Sequence, residues 1–213
     1  METKTSQAAR LCLTLIAIAG WFALIAQFYL ILETKRASTP ELVMRFFTYY
    51  TILTNILVAL CATAIALKGF DQNRFFARSG TITATTVNIT IVGVVYNIVL
   101  RGLAEPQGLA RVVDEMLHLI IPVAFLLSWF LFVPKGSLQW KSVWLWLIYP
   151  LSYFVVILLR GVIAGWYPYP FIDVNSLGYG KALLNALVLS IGFILSSLLF
   201  IWLDKLMFKR ASN

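Results

Sequence analysis

Histidine is almost missing from this 213-residue chain, and acids are scarce: one His, nine Asp and Glu together, and two Cys. The lone His118 excludes bis-histidine haem ligation, His-x-x-x-His zinc sites and paired Glu-x-x-His di-iron sites, each of which needs more imidazoles than one chain supplies. No Gly-x-Ser-x-Gly elbow, P-loop or Gly-x-Gly-x-x-Gly fingerprint occurs, and no cofactor or metal is expected. Cys12 and Cys61 both lie in apolar runs and make neither a disulfide framework nor a thiolate metal site. Charge is thin throughout, 12% of residues against 61% apolar, with mean hydropathy +0.86. A soluble domain carries about a quarter charged residues, so the composition is that of an integral membrane protein. The 17 Lys and Arg against 9 acids suit loops that meet anionic lipid, and no nucleic-acid partner is expected.

What the chain has in abundance is apolar length. Six runs are long enough to span a bilayer, about Leu11–Leu32, Leu42–Leu67, Thr81–Leu100, Val113–Val133, Val143–Ala164 and Ala182–Leu203. The first is too long for a signal peptide and is read as a retained anchor. Short loops join the runs, without a linker or low-complexity tract, so residues 1–213 are expected to form one all-α, six-helix membrane bundle. Ten Lys and Arg fall on the side of both termini and seven on the other, which predicts cytoplasmic termini. The absence of a convincing internal repeat weakens a secondary-transporter reading. Gly161 and Gly165 have small-xxx-small spacing near a span end, where packing or capping is favoured over dimerisation. The oligomeric state, a homo-oligomer included, stays open.

Polar residues inside the spans crowd the outer half. On one continuous helix Arg45, Thr48, Thr51 and Asn55 would form a stripe, and such a stripe in lipid must face a bundle interior or a wet cavity. Span three ends outward with Asn97 and Arg101, span four begins with Asp114, Glu115 and His118, and span five ends at Arg160, while most inner halves are nearly all apolar. Counted from their span starts, Thr48 and His118 both lie roughly 8–9 Å deep at 1.5 Å per residue. One chemistry open to this set is a Thr48 hydroxyl attacking an acyl carbon while neutral His118 takes its proton. Asp114 or Glu115, four and three residues before His118, would orient the ring. The plainer alternative has Thr48 bonding the Met44 carbonyl and His118 bonding a neighbouring helix.

Three stretches carry a resemblance over nearly the whole chain: Phe47-Thr48-Tyr49-Tyr50-Thr51-Ile52-Leu53-Thr54-Asn55, Glu115-Met116-Leu117-His118, and Trp166-Tyr167-Pro168-Tyr169-Pro170-Phe171-Ile172-Asp173. The sequence resembles the bacterial six-span family related to androgen-induced protein and the androgen-dependent TFPI-regulating protein. Animal members are integral-membrane threonine hydrolases that cleave fatty acid esters of hydroxy fatty acids, with one intramembrane Thr and one His essential. By position the resemblance implies Thr48 as nucleophile, with Thr51 and Thr54 standing nearby, and His118 as base. It implies a lipid-ester substrate drawn from the bilayer, and a multi-pass protein of the bacterial inner membrane.

A nucleophile on a continuous helix needs oxyanion donors from side chains, for which Asn97 and Asn55 rank first. Arg45, Arg101 and Arg160, near the outer face, are the groups to hold a lipid carboxylate, or else to snorkel to phosphates. The two prolines of the 167–171 segment forbid a continuous helix there and predict an outer loop. The alternative function is a small-solute transporter or non-enzymatic lipid-binding protein with an outward-facing polar cavity.

Overall fold

The structure, a computed structural model, describes residues 5–212. It is all-α, with no strand among the described residues, and six helices are long and apolar enough to cross a membrane: Gln7–Glu33, Tyr50–Lys68, Ser79–Leu103, Leu109–Phe132, Ser142–Ala164 and Val174–Arg210. This is a multi-pass membrane architecture. Large apolar side chains stand exposed along five of the six, as a lipid solvent allows and water would not, while Tyr50–Lys68 is mostly buried and exposes only Leu67 near its end. The chain divides into two compact units, one holding the residues up to Leu138 together with those from Asp204 onward, the other residues 139–203.

In the first unit α1 (Gln7–Glu33) packs closely on α3 (Tyr50–Lys68), because Gly20 faces Ala59: a Cβ at Gly20 would sit 3.3 Å from the Ala59 Cβ. Before α3 stands a separate helix, α2 (Thr39–Phe46), begun by Ser38 and Pro40 and closed at Phe47. Phe46 is buried edge-on against Phe28 of α1. The helix α4 (Ser79–Val95) continues through a π turn, Tyr96–Leu100, and a 3-10 turn, Arg101–Leu103. The fourth span is likewise interrupted: α5 (Leu109–Glu115), a π turn at Met116–Ile120, then α6 (Ile121–Phe132) with Pro122 in its first turn.

The first half of α4, expected on the inner side, is an exception to the apolar inner halves read from the sequence. Ser79, Thr83, Thr85, Thr86 and Asn88 are all buried there. Their polar atoms are matched locally: Thr83, Thr86 and Asn88 bond carbonyls four residues back, Trp129 Nε1 donates to Thr83 at 2.8 Å, and Tyr50 Oη donates to Asn88. Hydroxyls satisfied in this way bind helices together without needing water. Past the end of α6, Lys135 donates to the Trp129 and Val133 carbonyls, and the Asp204 carboxylate accepts from the Gly136 and Leu138 backbone N–H at 3.0 and 3.4 Å.

The second unit contains α7 (Ser142–Ala164) and most of α8 (Val174–Ser212), which is kinked at Gly178, φ 72°. Gly165 closes α7 in the left-handed conformation, φ 65°. Gly161 gives its missing side chain to the Tyr167 ring, since a Cβ there would stand 2.0 Å from Tyr167 Cε1. Both glycines therefore serve packing and capping. The 167–171 segment is an irregular loop ending in a 3-10 turn, Pro170–Ile172, and Tyr167, Ile172 and Ile157 form its buried centre. Asp173 Oδ1 accepts the Asn175 N–H at 2.9 Å, an Asx turn that starts α8.

Candidate functional site

The second apolar run is not one helix. Between α2 and α3 the chain leaves the helical ladder: Phe47 and Thr48 form a turn, and Tyr49 is extended at φ −78°, ψ 126°. Four aromatics and two threonines between Phe46 and Thr51 explain the break, because aromatic and β-branched side chains lose rotamer freedom in a helix. The stripe expected on a single helix is thus divided. Arg45 ends α2, Thr48 occupies the break, and Thr51 and Asn55 lie on α3. Thr48 is buried and its hydroxyl donates to the Met44 carbonyl at 2.6 Å. The first rung of α3 is Leu53 N to Tyr49 O at 3.2 Å.

His118 sits in the middle of the π turn of span four. Its Nδ1 lies 2.9 Å from the Asp114 carbonyl and 3.1 Å from Asp114 Oδ1. Two oxygens facing one nitrogen require that nitrogen to carry the proton, so the neutral ring is the Nδ1–H tautomer and Nε2 holds the lone pair. Nε2 has no hydrogen-bond partner among the described residues. Tyr96 stacks on the imidazole, with centroids 3.7 Å apart and planes 13° from parallel, and its hydroxyl donates to Asp114 Oδ2. Asp114 therefore fills the orienting role, and Glu115 takes another: it grips Arg101 with both oxygens, at 2.6 and 2.8 Å.

Two asparagines hold this π turn from either side. A π turn moves the ladder on by one residue, here Ile121 N–H to the Met116 carbonyl, and side chains can serve the carbonyls around it. Asn55 Nδ2 donates to Leu117 O at 3.2 Å and Asn97 Nδ2 donates to His118 O at 3.2 Å, from spans two and three respectively. Each amide spends its second hydrogen on a carbonyl of its own helix, Thr51 O at 2.9 Å and Gly93 O at 2.7 Å. An amide has two N–H donors and no more. The expected oxyanion role of Asn97 and Asn55 is therefore not available in this geometry; both residues position the backbone that bears His118. Gly93 makes the approach possible, since a Cβ there would stand 3.3 Å from the His118 carbonyl oxygen.

No family model, curated protein or solved structure matches this chain.

Each of the three arginines has a partner close by in its own unit. Arg101 is engaged by Glu115 and by Asn97 Oδ1 at 2.8 Å, Arg45 pairs with Glu41 of its own helix at 2.8 Å, and Arg160, in the second unit, lies over the Trp166 ring at 5.3 Å. Thr48 and His118 share no hydrogen bond. Among the described residues no group of three or more His, Cys, Asp or Glu could hold a metal ion. Tyr96 was missed by sequence reasoning. Its position beside Asn97, at the depth of the Asp114 turn on the neighbouring span, was the available signal.

Proposed function

We propose that this protein is an intramembrane hydrolase of lipid-derived carboxylic esters, such as fatty acid esters of hydroxy fatty acids, with Thr48 as nucleophile and His118 as base. The carrying observation is the imidazole: the Asp114 carbonyl fixes its Nδ1–H with the Asp114 carboxylate beside it, leaving Nε2 without a partner in a largely buried setting. That is the arrangement a hydroxyl nucleophile needs. Thr48 Oγ1 releases the Met44 carbonyl, gives its proton to Nε2 and bonds the ester carbon; the imidazolium returns the proton to the departing alkoxide, which leaves as the alcohol. Water then repeats the exchange on the acyl-threonine, freeing the carboxylic acid. Asp114 stabilises the imidazolium in both halves.

The substrate comes from the bilayer, the termini are cytoplasmic, and the site lies in the outer half of a bacterial inner membrane. Support for the dead-end character of the site comes from the inner half of α4, where the polar groups named above are bonded to one another and to carbonyls. Purified protein in nanodiscs, offered a panel of long-chain esters, is expected to release free fatty acid, and Thr48→Ala and His118→Ala to abolish release. Hydrolysis unaffected by either change, or no hydrolysis with saturable binding or uptake of a solute instead, would overturn the proposal in favour of another nucleophile or a transport role.

A further inference from the structure

We infer that Tyr96 is a positioning residue for the base, acting on His118 through Asp114; this rests on the hydrolase reading above. The geometry sets one carboxylate between two side chains. His118 Nδ1 lies 2.9 Å from the Asp114 carbonyl, its hydrogen-bond partner, and 3.1 Å from Asp114 Oδ1, while Oδ2 takes the Tyr96 hydroxyl. The i, i+4 spacing of Asp114 and His118 brings the groups together but leaves both free to rotate about their terminal torsions, which are broad. Tyr96 removes both freedoms. Its hydroxyl fixes the carboxylate plane, and its ring, 3.7 Å from the imidazole and 13° from parallel, fixes the imidazole plane.

Tyr96 is itself held, because it opens the π turn of span three. The Arg101 N–H bonds its carbonyl, and the Arg101 guanidinium lies 5.7 Å from its ring centroid. The Arg101–Glu115 fork then ties that turn to the one bearing His118. Tyr96 touches neither nucleophile nor oxyanion in this scheme. Its whole effect passes through the carboxylate.

The test exploits the single histidine. Nitrogen NMR of histidine-labelled protein in nanodiscs reports one imidazole; the main-chain carbonyl keeps the Nδ1–H tautomer in both proteins, and the Nδ1 resonance is expected to move in Tyr96→Phe, which keeps the stack and loses the hydroxyl that sets the carboxylate plane. In ester hydrolysis, Tyr96→Phe is expected to lower kcat about tenfold, the loss of one hydrogen bond to a charged group, with KM within about twofold. In an Asp114→Asn background the same change is expected to cost nothing further, since the residue through which it acts is already neutral. An Nδ1 resonance unmoved in Tyr96→Phe, or a tenfold loss that repeats in full in the Asp114→Asn background, would overturn the inference. Absence of hydrolysis in the wild type would instead refute the hydrolase reading, and the NMR comparison would still decide the positioning.

Discussion

Asp114→Asn isolates the charge behind the base. Asparagine has the shape of aspartate, its oxygen can still accept the His118 Nδ1–H, and its amide can turn to the Tyr96 oxygen, so the constellation survives while the negative charge is lost. During acylation the imidazole becomes cationic 3.1 Å from that charge. Coulomb's law gives such a pair roughly 5 kcal/mol at an effective dielectric constant of about 20. The side chains are 14% and 21% exposed, so solvent screening lowers the useful part to about 3–4 kcal/mol. At about 1.4 kcal/mol per power of ten, turnover should fall roughly 100- to 1,000-fold with KM little changed. Steady-state ester hydrolysis in nanodiscs measures it, alongside thermal unfolding to show that the fold persists. A loss under about threefold in a folded protein would mean that Asp114 does not stabilise a charged His118, and the proposed division of roles would fail.

Gly161→Ala should lower Tm, because a Cβ placed 2.0 Å from Tyr167 Cε1 forces the ring out of its packing at about 1–3 kcal/mol; helix propensity alone predicts the opposite sign, so a raised Tm would refute the close packing. Burial pushes the Lys135 ammonium down to about 8, against the opposing pull of Asp204. The unfolded state, with its ordinary value, then binds more protons between about pH 8 and 10.5, so stability rises with pH in that window. Wild type should gain Tm relative to Lys135→Met as pH climbs through it, and a constant difference would contradict the burial. Ser137→Cys and Asn175→Cys, in a Cys12→Ser, Cys61→Ala background, should label from the cytoplasmic and outer faces respectively; labelling of both from one side would refute the proposed orientation.

The six spans were legible because hydropathy over twenty residues integrates many small transfer energies, and their limits moved by only a few residues in four of the six; the last extends further at both ends, from Val174 to Arg210, and the second is the exception in that it breaks. The exception is instructive. Leu42–Leu67 reads as one apolar run, yet the helix breaks at Thr48, because hydropathy does not register the crowding of Phe46, Phe47, Tyr49 and Tyr50. The roles of Gly161 and Gly165 followed from their position near a span end, and the Asp114–His118 pair from i, i+4 spacing. The π turns left no such mark. They shift hydrogen bonds by one residue without needing any particular composition, and they recruit Asn55 and Asn97 to the backbone rather than to an oxyanion. Tyr96 was obscured for a related reason: its partner lies on another span, at a separation that no local pattern encodes.

The central claim is that Thr48 forms a covalent acyl intermediate with His118 as its base. A threonine hydroxyl reacts poorly unless its proton is removed as it attacks, so a fluorophosphonate probe, followed by peptide mass spectrometry, tests activation at a named atom. The expected result is an adduct on Thr48 alone, retained in Thr48→Ser, absent in Thr48→Ala and strongly depressed in His118→Ala. An adduct mapped to Thr51, Thr54 or a serine, or labelling undiminished in Thr48→Ala, would contradict it.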